Sequence, residues 1–597
     1  MDSSSAITDQ TPVKPSHPFG QGRPIPQRHT PPPASPVAVL TDTRREQSWR
    51  VALSYQDSDR LWTCELLLPR EPTVLEYHFE TIRDGIIRDL RQDEGVIKPL
   101  YGVWKECPFK IAVYDPDSTP PEWTRGAIVY QIFPDRFHRV DGVEGGPKGE
   151  SRGDDDRRVY GSRPRELSWN DDPELPPRGR DFFGGTLEGI TRKIEYLKEL
   201  GISCIYLTPI FESPTNHRYD ATDYFRIDPR LGTREDFRAL LAAVHSAGMK
   251  IVLDGVFNHC SVDHPAFRAA SVDRESPYFR WFSFDPWPDN YGRWEGVAAM
   301  PQFVECPEVE EYFYGRDGVV EHWLAEGIDG WRLDVVPWKS TGFWRALRRS
   351  ARKANPDTYL ISEDWADSSH RFLGDTFDAT MNYRFGYSVI GFANGKLTPS
   401  ELDDRLETLR RDTPKPSFHA QFNLIGSHDT ARPLTTFDGD THRLKLAVAM
   451  QCAYPGVPMV YYGDEAGLEG EYAEAGRKPY PWDSPNVDLR EYYRRVLTTR
   501  RTSRALSEGD VLTVHADDDT STYAFMRLLD EDHVIAAFNA GSETVELRIT
   551  LPDGLNRSDR VREYHDLLDL QPPAAREDDT LRITLAAYSS GWFSPEG

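Results

Sequence analysis

Four carboxylates stand at or just beyond the ends of short apolar runs: Asp254 in IVLDGVFNH, Asp334 in GIDGWRLDV, Glu363 in YLISEDW and Asp429 in NLIGSHD. Burying an unpaired carboxylate is expensive, so an acid at a strand end is seldom there for packing. Any one of the four reads equally well as a surface cap or a salt-bridge partner. Four of them converging on one face read as chemistry. Cleaving a glycosidic bond with retention needs one ionised carboxylate to attack the anomeric carbon and one protonated carboxyl to release the leaving oxygen, about 5–5.5 Å apart. Arg332, two residues before Asp334 and on the same strand face, is expected to keep Asp334 ionised by its fixed charge. Glu363, among the other acids, is then the group that carries the proton.

Acids at several strand ends need a scaffold that brings those ends together. Strand-like runs alternate with helical patterns in the order AIVYQIF, ISCIYLTPI, KIVLDGVF, IDGWRLDV, TYLISE, ATMNYRF, AQFNLIG and VPMVYYG. Between them lie helices such as the one from Thr233, where Thr233 and Asp236 have the spacing of a capping box and Phe237, Leu240, Leu241 and Val244 make one apolar stripe. Eight such units fit an α/β fold of the (β/α)₈ TIM-barrel type, whose working residues sit at the C-terminal strand ends. The barrel is expected over 123–499. Two connections are long, 138–183 and 260–306, and the second is read as an inserted loop domain.

Before the barrel, residues 36–122 read as an N-terminal β-sandwich, with Leu75, Tyr77 and Phe79 alternating against Glu76 and His78 ahead of an Asp84-Gly85 turn. Residues 1–35 are Pro- and Ser-rich and are expected to be a disordered tail. The Pro-punctuated DPDSTPPEW reads as a linker. After the barrel, 500–597 read as an antiparallel β domain, with Val545, Leu547, Ile549 and Leu551 facing one way.

Lys and Arg number 71 against 96 Asp and Glu, a formal charge of -25. Such a surface repels nucleic acid and anionic membranes and leaves a neutral substrate unaffected, so neither class of partner is expected. The six cysteines form no CxxC pair, which points to free thiols rather than a zinc site or a disulfide framework. The N-terminus lacks a basic segment followed by an apolar one, and no run of eighteen apolar residues occurs. These features together imply a cytoplasmic protein.

DGVFNH, GWRLDV, the Glu of SEDW and SHD resemble, in order and in strand placement, the four main signature regions of glycoside hydrolase family 13, the α-amylase family. The run LTPIFESPTNHRYDATDYF resembles the fifth region of its neopullulanase, cyclomaltodextrinase and maltogenic amylase group. By that resemblance Asp334 is the nucleophile, Glu363 the general acid/base, and Asp429 a third carboxylate gripping sugar hydroxyls. Arg332, His259 and His428 match positions around the sugar in the bond-cleaving subsite, and His217 and Tyr219 join them. Trp365 matches an aromatic on the leaving-group side, Arg477 a family arginine, and Asp254 a residue that either shapes the site or touches sugar. The implied activity is hydrolysis of α-1,4-glucosidic bonds in cyclomaltodextrins, maltooligosaccharides and pullulan, with α-glucan as the partner molecule and no organic cofactor.

The resemblance also gives the N-terminal domain the position of a starch-binding-type module and of a homodimer contact. The alternatives are a maltodextrin α-glucosidase or transglycosylase on the same site, and a non-catalytic carbohydrate-binding protein, which would be expected to have lost carboxylates. Three departures stand out. Asp334 is followed by Val335, Val336, Pro337 and Trp338 instead of the family's usual polar residues. An Asp commonly found four residues before Arg477 is Ala473, leaving Glu471 or Glu474 to replace it. The Gly-Gly-Asp of calcium-binding relatives is FFGGT, ending in Thr186, which leaves calcium possible but weakly supported. Trp294 and Trp338 fit either subsite platforms or ordinary packing, and the GDEAG run at 463–467 reads as structural.

Overall fold

A computed structural model describes residues 36–56, 61–83, 86–90, 92–94, 105–107, 109–140, 159–552 and 563–595. The Pro-rich segment 1–35 and the Asp84-Gly85 turn lie outside them.

Eight parallel strands close a barrel: β1 (Val129–Ile132), β2 (Cys204–Leu207), β3 (Lys250–Gly255), β4 (Gly330–Leu333), β5 (Tyr359–Ser362), β6 (Ala379–Asn382), β7 (Phe422–Leu424) and β8 (Val457–Tyr461). Each lies within one of the eight apolar runs, and β1 pairs with both β2 and β8 to complete the ring. Nearly every residue in these strands is buried, because one face fills the barrel and the other meets the helices. Val129, Cys204, Val252, Ile361, Met381, Phe422 and Met459 belong to one buried apolar cluster. The helix Arg234–Ser246 shows how the outer layer forms. Thr233 and Asp236 make a reciprocal capping box, and the buried residues are Phe237, Leu240, Leu241 and Val244, the stripe expected from the sequence.

The DPDSTPP segment is fastened to the barrel unit. Asp115 N–H donates to the Leu373 carbonyl at 3.0 Å, Ser118 Oγ to the Gly374 carbonyl at 2.6 Å, and Arg348 Nη2 to Ser118 Oγ at 3.1 Å. In the same unit the C-terminal residues form an eight-stranded antiparallel sheet from Asp510–Asp517 to Val545–Thr550. Leu547 and Ile549 are buried while Glu546, Arg548 and Thr550 are exposed, as alternation requires. This sheet shares a core with the barrel helices: Phe525 packs edge-on against Tyr454 at 5.5 Å, and Arg527 donates to the Ala453 carbonyl at 2.6 Å.

The N-terminal unit is a five-stranded sheet built on Thr73–Arg83, with the antiparallel strand Val37–Asp42 beside it and Gln47–Ala52 beyond. Leu40 and Leu75 are fully buried there, and the Tyr77 ring stacks on Phe109 at 5.3 Å. Among the described residues no helix is long and apolar enough to cross a membrane.

Candidate active site

The C-terminal strand ends gather the acids around one guanidinium. Arg332, on β4, is fully buried. Its Nη1 donates to Asp254 at the end of β3 (2.9 Å) and to Asp334 just past β4 (2.8 Å), while Nη2 lies 3.0 Å from Glu363 just past β5. Gly330 allows this convergence, since a Cβ there would meet the Tyr359 carbonyl at 2.5 Å and force β4 away from β5. Asp334 and Glu363 thus stand side by side.

Glu363 is held at both oxygens. Oε2 accepts the Val335 N–H at 2.8 Å, and Oε1 accepts the Trp365 indole N–H at 3.0 Å. Val335 donates from a left-handed conformation, φ 40° and ψ 49°, which is strained for a β-branched residue. Trp365 is fixed by stacking on Tyr383, with ring centroids 3.7 Å apart.

Asp254 has both oxygens occupied by protein, accepting from Tyr206 Oη at 2.6 Å, Tyr219 Oη at 3.0 Å and Arg332. Asp429, five residues past β7, pairs with His428 Nε2 at 3.0 Å and Arg477 Nη2 at 3.2 Å. Its side chain is 25 % exposed against 8 % for Asp334, which makes it the most open of the acids. Tyr219 Oη hydrogen-bonds to His428. His217 Nδ1 accepts the Tyr219 backbone N–H at 3.1 Å. His259 is buried, with Nε2 unpartnered among the described residues, and burial lowers its pKa to about 3. Burial lowers His217 as well. Both therefore offer uncharged imidazoles suited to sugar hydroxyls.

One electrostatic expectation needs correction. Burial, followed by the Glu363 carboxylate and then Asp254 and Asp429, pushes the Asp334 carboxyl well above its usual range against the pull of Arg332. One arginine shared among three acids does not hold Asp334 ionised by itself. Burial also acts against ionisation of Asp429, but there His428 and Arg477 win and keep it below the usual range.

All eleven expected residues fall at this end of the barrel. Trp294 stacks on His259 at 5.3 Å, while Trp338 is 42 % exposed and so is no core residue. Glu471 is exposed, whereas Glu474 is buried and engaged by Arg136 Nη2 at 2.6 Å and Asn216 Nδ2 at 3.1 Å. Both bonds fall on Oε1. Glu465 of GDEAG is buried and accepts from Tyr130 (2.7 Å) and Tyr196 (2.8 Å), a structural role. Thr186 caps the helix Leu187–Thr191 by accepting the Gly189 N–H, and among the described residues no cluster of three or more acids, histidines or cysteines fits a metal ion. Sequence reasoning missed Tyr206, Val335 and Gln131. The only available signal for Gln131 was a lone amide inside the apolar run AIVYQIF.

The chain matches a family model described as the α-amylase catalytic domain over residues 131–488, more than half its length. It is 37% identical over 447 residues to Neopullulanase 2 of Thermoactinomyces vulgaris, covering 73% of each chain. Its structure is similar to that of a cyclomaltodextrinase (TM-score 0.72, 30% identity, 94% of both chains). It is also similar to cyclic α-maltosyl-(1→6)-maltose hydrolase from Arthrobacter globiformis (TM-score 0.68, 33% identity, 80% of this chain and 100% of that one). A closed barrel, acids on four strand ends and these matches agree: the chain belongs to the α-amylase family of glycoside hydrolases.

Proposed function

We propose that this protein hydrolyses α-1,4-glucosidic bonds in cyclomaltodextrins, maltooligosaccharides and pullulan with retention of anomeric configuration. The observation that carries this is the single buried guanidinium of Arg332 contacting both Asp334 and Glu363. Two carboxylates drawn to one guanidinium favour the short separation of a retaining pair, about 5–5.5 Å, over the 6.5–9.5 Å or so that leaves room for a water in inversion. Asp334 attacks the anomeric carbon, and Glu363 protonates the leaving oxygen and then activates water. Asp429 grips hydroxyls of the sugar as positive charge develops on it. His217, Tyr219, His259, His428 and Arg477 surround that sugar. The reaction uses acids alone and needs no organic cofactor; because Thr186 stands where calcium-binding relatives carry an aspartate, the rate should also be unchanged after dialysis against EDTA.

The test is a side-by-side assay on β-cyclodextrin, pullulan, maltotriose and soluble starch, with the anomer of the first product read by NMR. Faster cleavage of the cyclic and branched substrates than of starch, with the α-anomer formed first, supports the reading; a β-anomer overturns it. A second reading, glucosidase or transglycosylase, takes its support from Trp338, an exposed indole four residues after Asp334 that can hold an acceptor sugar. Release of glucose from short linear chains, or longer transfer products, would decide for it. A cytoplasmic location is supported by the unpaired Cys204, Cys260 and Cys452. A homodimer through the N-terminal domain rests on resemblance and is tested by sedimentation.

A further inference from the structure

Gln131 lies on β1, on the opposite side of the sequence from every acid in the site, and is fully buried. Its Nε2 is 2.6 Å from His428 Nδ1, and its Oε1 has no partner among the described residues. His428 is itself 1% exposed, and its other nitrogen faces Asp429 Oδ2 at 3.0 Å and the Tyr219 hydroxyl.

We propose that Gln131 is a positioning residue that selects the tautomer of His428 and so directs a proton at Asp429, the carboxylate assigned to transition-state stabilisation. The donors then run in one direction. The Gln131 amide donates to Nδ1, which must be the unprotonated nitrogen, so the imidazole proton sits on Nε2. From there it points at Tyr219 Oη and Asp429, and the Tyr219 hydroxyl donates onward to Asp254 Oδ2 at 3.0 Å. With the other tautomer the Nε2 lone pair of the buried His428 would face the Asp429 carboxylate, a repulsive arrangement. An apolar side chain at 131 would leave both tautomers open. A glutamate would accept from Nδ1–H and, by its negative charge, hold His428 as the imidazolium with one further proton taken from solvent, so that Nε2–H still faces Asp429.

The inference rests on the hydrolytic reading above, and the experiment separates the two. Wild type, Gln131→Leu and Gln131→Glu are compared for kcat and KM on β-cyclodextrin, and for binding of maltose and of acarbose, whose basic nitrogen imitates the charge of the oxocarbenium-like state. In Gln131→Leu, kcat is expected to fall about tenfold or more, as misplacement of a catalytic group does. Acarbose affinity should fall by the same factor as kcat/KM, with maltose affinity unchanged. Gln131→Glu should keep most of the wild-type kcat, and it carries the test alone if the leucine variant does not fold. Wild-type kcat in Gln131→Leu overturns the proposal, as does parallel loss of maltose and acarbose binding, or a glutamate variant that has lost most of the wild-type kcat. Absence of hydrolysis in the wild type would instead overturn the functional reading.

Discussion

A carboxylate that attacks must be ionised, and Asp334 is held where ionisation is disfavoured. Because burial and neighbouring acids raise its pKa in the folded state, the stability it contributes is present at low pH and is lost as pH rises through that folded value. Asp334→Asn is therefore expected to melt higher than wild type at neutral pH. The difference should fade toward pH about 4, where an unfolded aspartate is itself protonated. The same variant should lose turnover by about 10³-fold or more while still binding oligosaccharide in calorimetry. A lower melting temperature at pH 7 would contradict the electrostatic account, and unimpaired hydrolysis the assignment. For Glu363→Gln, kcat on sugar leaving groups should fall by about 10²–10⁴-fold. Rates on a nitrophenyl glycoside, whose leaving group needs no proton, should fall far less; equal losses on both would remove Glu363 from the acid role. At this scale the acids were legible in the sequence because each closes an apolar run. The hydrogen bond between Gln131 and His428 was not, since it joins residues 297 positions apart.

Elements place these side chains, and two of them invite simple tests. Val335 carries its N–H to Glu363 from a left-handed conformation that costs a non-glycine residue about 1–2 kcal/mol. Glycine at 335 would relieve that strain while adding freedom to the unfolded chain, worth about 0.5–1 kcal/mol. Val335→Gly is thus expected to melt within a few degrees of wild type yet turn over more slowly, because the donor to Glu363 is less firmly held. An unchanged kcat would show that the strained turn does not matter for the acid. Thr233→Ala, at the cap of Arg234–Ser246, should cost about 1 kcal/mol of stability and leave kcat alone, a control for purely structural loss. The eight barrel strands were readable because parallel strands buried on both faces leave near-continuous apolar runs. The order of the C-terminal sheet was not, because alternation fixes which face of a strand is buried but not which strand lies beside it. Trp294 and Trp338 likewise could not be told apart by sequence, since an indole serves packing or a sugar face equally well; only exposure and the His259 ring separate them.

Over the whole molecule, the charge of -25 meets a neutral sugar, so no long-range field steers the encounter. kcat/KM on β-cyclodextrin should stay flat as salt is raised through the range where the Debye length shrinks from about 30 to 3 Å. A steep decline would mean that salt acts on the charged groups of the site itself. The domain sequence was legible from changes in pattern, but the continuity between barrel and C-terminal sheet was not, because it is made by rings such as Tyr454 and Phe525 that read as ordinary core residues in their own segments. That continuity bears on engineering. The last strands are not an exchangeable cassette: a chimera joined near residue 500 would set a foreign surface against Tyr454 and the Ala453 carbonyl, stripping them of Phe525 and Arg527. Grafts that carry these four positions together should express as soluble enzyme, and those that divide them should not.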